Sequence, residues 1–512
     1  MRKETTYLYV TAFAGGLVSL AVEMTASSLL RPYFGTANVV WAAIIGLIML
    51  YLTAGYFLGG RWADRSPRPG VLYQIVIWAA FAIGLIPFVA RPVLSLAVRG
   101  FASFNLTLLG GSFVAVLVLF SVPVTLLGCV SPFVIRLGME AVESAGHTAG
   151  KVYGISTAGS FLGAFVPDLL LVPLIGTRAT FVLLSLTLSV VALIGLFRNR
   201  VKRAWLYVGV PVLIVLLAVA LRGQPVKAAS GAIYETESAY NYIQVVEDDR
   251  GCRYLLLNEG QGIHSVYCPG QIRTTGPWDY FLAAPYFNAP LYSADRVERV
   301  ALIGLAAGTI SKQFTEAYGP VPIDGVEIDP EIVRVGREYF AMDEPNLNAI
   351  VADGRVYLRY SEQEYSVIGI DAYRLPYIPP HLTTVEFFAE VREHLTDDGV
   401  VVINVGHTPD DYRLVQAMKA TMLEVFPSVH VIDVPNTYNA IVVATVAPTQ
   451  AGNMLANLEQ FEQGSFLYDA VLRSAANLNP VAAGDVVFTD DRASIEWMTN
   501  ALLVDYLLGG LE

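Results

Sequence analysis

The sequence predicts two unlike parts in series: a multi-pass α-helical membrane domain, then an α/β domain with a parallel, doubly wound sheet. Three observations carry this. Of 512 residues, 54% are hydrophobic and only 15% charged, far enough from the soluble average that part of the chain must sit in lipid. Apolar stretches recur between residues 7 and 221, each of about twenty residues or more and able to cross a hydrocarbon core as a helix. From residue 231 β-branched and polar residues alternate, and from residue 300 short buried strands alternate with helices.

The spans are expected near 7–30, 39–60, 71–90, 107–135, 152–176, 179–197 and 204–221, about seven in a transmembrane domain covering 1–222. The first, Tyr7 to Leu30, is too long for a signal-peptide core and no small-residue cleavage pattern ends it, so it reads as a retained span. Pro123 and Pro132 predict a tilted or kinked fourth span. Gly159 and Gly163 have the four-residue spacing that lets helices pack closely. Glu23 and Asp168 fall inside spans, where ionisable groups are functional or paired, and Arg31 is a candidate partner for Glu23.

Basic residues orient the domain. Arg2, Lys3, Arg61, Arg65, Arg68, Arg136, Lys151, Arg198, Arg200, Lys202 and Arg203 share one side of an alternating topology; the other side holds fewer, Arg31, Arg91, Arg99, Arg178, Arg222 and Lys227. The richer side is cytoplasmic, and so is the N-terminus of this cell-membrane protein. The loop Gly60-Arg-Trp-Ala-Asp-Arg-Ser-Pro-Arg68 resembles the one between the second and third helices of major facilitator transporters, and the spans amount to half such a transporter. An odd number of spans then places the chain after 222 outside the cytoplasm.

Residues 223–290 read as a linker and a small β-meander, with strands around Tyr242–Val246, Arg253–Leu257 and Gly262–Tyr267. A hairpin turning at Glu259 and Gly260 sets Cys252 nearly opposite Cys268, close enough for a disulfide, and disulfides persist in oxidising compartments. These two and Cys129 are the only cysteines, and none has the spacing of a zinc or iron–sulfur site, so no metal is expected. A net charge of −12 without a basic stripe argues against a nucleic-acid partner.

Residues 291–512 carry the chemistry. The strand Val300–Ile303 runs into Gly304-Leu-Ala-Ala-Gly308-Thr309 and a helix, where open α/β sheets bind nucleotides; a tight strand-to-helix turn needs glycine too. The next strand ends Glu327-Ile-Asp329-Pro330, which suits Glu327 to a ribose diol and Asp329 to a helix cap. Asp353, just past the third strand, suits the exocyclic amine of adenine. Asp371, at the end of the strand Val367–Ile370, can act as a general base or hold an amine, or can cap a turn.

This order resembles the spermidine synthase family of aminopropyltransferases over roughly 232–446. Pro277-Trp278-Asp279-Tyr280-Phe281, the run from Asp371-Ala-Tyr373-Arg374 through His381 to Phe388, and Thr489-Asp-Asp-Arg-Ala-Ser-Ile-Glu496 look like its membrane-fused members. The resemblance implies a Rossmann-like class I methyltransferase fold behind a β-meander lid, with Gly304, Gly308, Glu327 and Asp353 on the cofactor. It further implies Asp371 as the catalytic aspartate, with Trp278, Asp279 and Tyr373 on the substrate. The implied cofactor is decarboxylated S-adenosylmethionine or S-adenosylmethionine; the implied partner is an amine or polyamine, besides the lipid bilayer and a homo-oligomer or membrane complex. Two positions depart from the family: Ala307 stands where it carries an aspartate holding the cofactor's aminopropyl amine, and Arg374 where it carries a second aspartate.

The expected function is a membrane-anchored, spermidine synthase-like transferase that binds an adenosyl sulfonium and acts on an amine or polyamine. The alternative is a catalytically inactive polyamine- or nucleoside-binding or assembly module, favoured by Ala307 and Arg374; a third reading is a methyltransferase.

Overall fold

The computed structural model describes residues 2–35, 38–102, 110–139, 145–222, 227, 229–258, 260, 262–374 and 377–509. The chain divides into two compact units: Met1–Ser230 with Glu235–Ile243 and Leu257–Gly260, and Gly231–Tyr234 with Gln244–Leu256 and Gln261–Glu512.

The first unit is helical: α1 Arg2–Phe34, α2 Asn38–Arg65, α3 Pro69–Ala102, α4 Ser112–Gly128, α5 Val130–Gly138, α6 Ala145–Val166, α7 Val172–Arg198 and α8 Gly209–Ala220. Among the described residues, five helical runs are long and apolar enough to cross a membrane: Thr5–Phe34, Asn38–Arg65, Pro69–Val98, Ser112–Gly138 and Ala145–Arg198. The last joins the two spans expected at 152–176 and 179–197, and its 54 residues make about 80 Å of helix, more than twice a hydrocarbon core. A π-turn at Pro167–Leu171 and Gly176, with φ 80° and ψ 162°, interrupt it. The chain reverses there. α6 runs parallel to α1, since Gly159 packs on the Phe13 carbonyl and Gly163, one turn later, on that of Leu17, with Ser160 donating to the Gly16 carbonyl at 3.0 Å. α7 returns antiparallel: Ser28 donates to Asp168 at 3.4 Å in the π-turn before it, and Tyr7 to the Val191 carbonyl at 2.6 Å near its end.

The other expectations for this unit follow from local chemistry. The fourth span breaks at Cys129, between α4 and α5, because Pro132 has no N–H and its ring crowds the carbonyl four residues earlier; residues 107–109 of the expected span lie outside the described ones. Gly159 and Gly163 are contact points: a Cβ on either would stand 2.1 and 2.2 Å from the carbonyls of Phe13 and Leu17. The span expected at 204–221 is a short apolar helix, Ala204–Ala220. It lies along α3, with Gln74 donating to the Tyr207 hydroxyl at 3.1 Å and Gly84 facing Ile214. Arg31 donates to the Ser28 hydroxyl and the Ser238 carbonyl.

The meander has four strands in sequential order, β1 Ala232–Glu237, β2 Tyr242–Glu247, β3 Arg253–Leu257 and β4 Ile263–Tyr267. β3 and β4 pair antiparallel with Arg253 opposite Tyr267, which brings Cys252 and Cys268 together in a disulfide. The expected turn residue Glu259 lies outside the described residues. The helix expected at Trp278 is a single turn, α9 Trp278–Phe281, followed by a 3-10 turn Ala284–Phe287.

Strand and helix then alternate: β5 Val300–Ile303, α10 Thr309–Tyr318, β6 Ile323–Glu327, α11 Pro330–Tyr339, β7 Leu347–Val351, α12 Gly354–Tyr360, β8 Tyr365–Ile370, α13 Val385–Glu393, β9 Leu395–Gly406, α14 Arg413–Leu423, β10 Ser428–Asp433, β11 Asn439–Thr445, α15 Asn453–Asn457, α16 Phe466–Ala476 and α17 Ile495–Gly509. The sheet order is β10-β11-β9-β8-β5-β6-β7. The five strands from β9 to β7 are parallel, as expected, whereas β11 runs antiparallel to both its neighbours, β9 and β10. The sheet is therefore mixed, because the short link between β10 and β11 permits only a hairpin. All four residues of β5 are buried: Ala301 and Ile303 enter the core on one face, Val300 and Leu302 the core on the other, the two-residue period of a strand covered on both sides.

Candidate active site

The carboxyl ends of β5, β6 and β8 come together because parallel strands in register end at one level: Ile303 pairs with Val326 and with Ile370. Gly304 turns the chain out of β5 at φ 89°, and a Cβ there would lie 2.6 Å from the backbone of Asp371 and Ala372. Glycine is therefore what lets the loop after β5 lie against the loop after β8. Gly308, at φ 86°, starts α10 and packs on Met342.

Glu327, the last residue of β6, is 8% exposed and faces this loop. Its carboxylate accepts from the backbone N–H of Ala306 at 3.0 Å and of Asp329 at 3.1 Å. Burial pushes it up to about 7, aided by the charge of Asp329 and opposed by the backbone donors. Asp329 caps α11, accepting from Glu331 N at 3.0 Å with Pro330 at the first helical position, the cap its sequence predicts. Asp353 caps α12 with one oxygen, and its other oxygen meets His381 Nε2 at 2.9 Å.

Asp371 follows β8. One carboxylate oxygen accepts from the indole N–H of Trp278 at 3.1 Å and the other from the amide of Asn404 at 3.0 Å. Burial pushes this carboxyl up to about 6, against the pull of those two donors. The Tyr373 hydroxyl donates to the Asn404 carbonyl at 3.0 Å, and the Asn404 side-chain oxygen is buried without a hydrogen-bond partner. Asn404, which sequence reasoning did not single out, is the lone amide side chain in the apolar run Val400–Val405. That placement was the available signal.

Trp278, Tyr373 and Asp371 thus converge, while Asp279 is 1% exposed and anchors the loop behind Trp278. Its carboxylate accepts from Thr274 N and Oγ1, Thr275 N, Gln313 Nε2 and Arg473 Nη2, at 2.6 to 3.1 Å. Ala307 is buried and its N–H donates to Ser265 of β4 at 2.9 Å. Arg374 is exposed. The Asp490 of the Thr489–Arg492 motif pairs with Arg355, which also pairs with Glu390.

A family model described as the spermine/spermidine synthase domain matches residues 287–457. A protein named probable polyamine aminopropyl transferase from Bifidobacterium longum is 32% identical over 282 residues, 51% of this chain and 61% of that protein. A polyamine aminopropyltransferase from Vibrio vulnificus is 32% identical over 215 residues, 40% of this chain and 69% of that protein. The crystal structure of a probable spermidine synthase from Corynebacterium glutamicum aligns with a TM-score of 0.39 at 22% identity, covering 50% of this chain and 98% of that one. On the identity and coverage of the Vibrio protein, with the matching domain model, this chain belongs to the spermine/spermidine synthase family.

Proposed function

We propose that the chain is a membrane-anchored transferase that moves an alkyl group from an adenosyl sulfonium, decarboxylated S-adenosylmethionine or S-adenosylmethionine, to an amine or polyamine. The observation that carries this is Asp371, a carboxylate held by Trp278 and Asn404 and raised to about 6, the range in which a base is ionised at neutral pH yet still takes a proton.

The residues fit an adenosyl group. Glu327 ends β6 and Asp353 lies just past the adjacent β7, and Ile328 beside them is 42% exposed. Glu327 would hold the ribose hydroxyls and Asp353 the adenine amine. When bound, the sulfonium supplies an electrophilic carbon and a neutral thioether leaving group. Asp371 takes the proton of the attacking amine, Trp278 and Asn404 keep its carboxylate turned to the acceptor, and the unpartnered Asn404 oxygen accepts a second amine hydrogen. Calorimetric titration of the full chain with S-adenosylmethionine, its decarboxylated form, methylthioadenosine and spermidine tests this. No adenosyl binding at millimolar concentration defeats it.

The anchoring reading includes seven crossings, with the N-terminus cytoplasmic and the chain after 222 outside. It is supported by the reversal between α6 and α7, by the parallel course of α3 and Ala204–Ala220, and by pairing of basic residues at one end of the helices: Arg136 with Asp64, and Arg198 over the Tyr7 ring. The disulfide favours the same side. A second reading, a non-catalytic binding module, is favoured by that placement and by Ala307, whose buried N–H is already taken by Ser265. Maleimide labelling of intact and broken cells, with and without reductant, separates the two: Cys252 and Cys268 thiols that are free and shielded until the membrane is broken put the domain in the cytoplasm.

A further inference from the structure

We propose that the C-terminal segment formed by α16, the Thr489–Arg492 turn and α17 is a brace that positions the site, and that Arg473, Asp490 and Asn500 are its positioning residues. The segment lies beyond residue 457, where the match to the synthase domain ends. The site residues it serves sit on irregular chain, which packing of the sheet alone does not fix. Each such stretch is gripped by side chains of the segment.

The loop that presents Trp278 is held by two crossed ion pairs. Arg473 of α16 donates to the buried Asp279 at 3.0 Å, and Arg273 pairs with Asp469 of α16 while donating to the Gly464 carbonyl at 3.0 Å. Asp279 adjoins Trp278 in sequence, so displacing it displaces the indole N–H on Asp371. At the start of α12, Arg355 lies two residues after Asp353 and donates to both oxygens of Asp490, at 2.7 and 2.9 Å. Asp490 also accepts from Thr384 at 2.7 Å, tying in the segment that carries His381, the neighbour of Asp353. The loop after Asp371 closes through a mutual backbone bridge of Arg374 and Tyr377, and the Tyr377 hydroxyl donates to Asn500 of α17 at 2.7 Å.

The brace rests on the reading of the site given above, but its physical test does not. Hydrogen exchange on the full chain in detergent, without ligand, is measured for Arg473→Met, Asp490→Asn and Asn500→Ala, with Arg473→Lys as the conservative control. Each variant is expected to speed exchange about tenfold or more in its own stretch only: 274–282 for Arg473→Met, 353–358 with 381–386 for Asp490→Asn, and 372–380 for Asn500→Ala. Arg473→Lys should restore slow exchange at 274–282. Unchanged exchange in the gripped stretch overturns the proposal, and so does a uniform rise across the α/β unit, the mark of a merely structural role. Confined effects in a protein without transferase activity leave the brace standing and remove the transferase reading. In an active protein, Arg473→Met should also move the acidic limb of the pH–rate profile upward, because Asp371 loses the Trp278 donor that favours its ionised form.

Discussion

Replacing Asp371 by asparagine should make the protein more stable as it makes it inactive, and the gain should depend on pH. Burial raises this carboxyl from 3.8 to about 6, and at about 1.4 kcal/mol per unit the charged form is about 3 kcal/mol worse off in the folded chain than in the unfolded one. Below 3.8 both states hold the proton and nothing is lost. Between 3.8 and about 6 the unfolded chain releases its proton while the folded chain keeps it, so stability falls as pH rises; above 6 the loss is complete and constant. By pH 5 a little over half of it has accumulated. Asparagine never ionises, keeps the shape, and can retain one of the two donors, Trp278 or Asn404; the donor left without an acceptor costs about 1–2 kcal/mol. The net gain should be near zero at pH 5 and about 1–2 kcal/mol at pH 8. Denaturant unfolding of both proteins in detergent at the two pH values measures it. A difference between variant and parent that is the same at pH 5 and pH 8 would refute the raised carboxyl, and with it the assignment of Asp371 as a base poised near neutrality.

Three further outcomes are expected. Glu327 is raised to about 7 and a ribose diol needs its ionised form, so calorimetric affinity for methylthioadenosine should drop as pH falls below 7, approaching tenfold per unit; Glu327→Gln should abolish this dependence, and a flat wild-type profile between pH 6 and 8 would exclude the contact. Gly304→Ala forces a Cβ to 2.6 Å from the Asp371 backbone at φ 89°, and should cost about 2–4 kcal/mol of stability and most turnover; a variant that unfolds and turns over like the parent removes the argument for close loop contact. Gly163→Leu meets the Leu17 carbonyl at 2.2 Å and should lower the melting temperature in detergent by about 5 °C or more, whereas the same change at Gly154, which faces no atom within 4 Å, should not.

The sheet was largely legible because its strands are buried on both faces. A run such as Val300–Ile303 is apolar throughout and bounded by glycine, so its period and length agree on one reading, and β5 has those bounds. β10 and β11 are not among the expected strands: His430 and Asp433 dilute the first, although Pro435-Asn436 between the two marks the turn. In the helical unit, the spans expected at 152–176 and 179–197 divide where the chain turns back at Gly176, although the helical run itself is continuous from Ala145 to Arg198. Between 145 and 198 the reversal rests on Gly176 and the π-turn at Pro167, and glycine and proline are common inside lipid-facing helices that go straight through.

For the site, what the sequence reveals is position along a strand, and what it hides is the partner. Glu327, Asp353 and Asp371 stand out as candidates because each lies at or just past a strand end, a place fixed by the parallel sheet. Whether such a carboxylate meets solvent, ligand or protein depends on groups far away in sequence. Asp279 makes the point. The family resemblance implies a substrate contact for it, and its carboxylate is met by Gln313, 34 positions on, and by Arg473, 194 positions on. The same arginine grip explains how Trp278 can serve Asp371 from a loop of one helical turn. A buried carboxylate taking five donors fixes that loop more firmly than the short helix could alone. No local pattern distinguishes the two roles, because both require a carboxylate at that place; only the donors that surround it do.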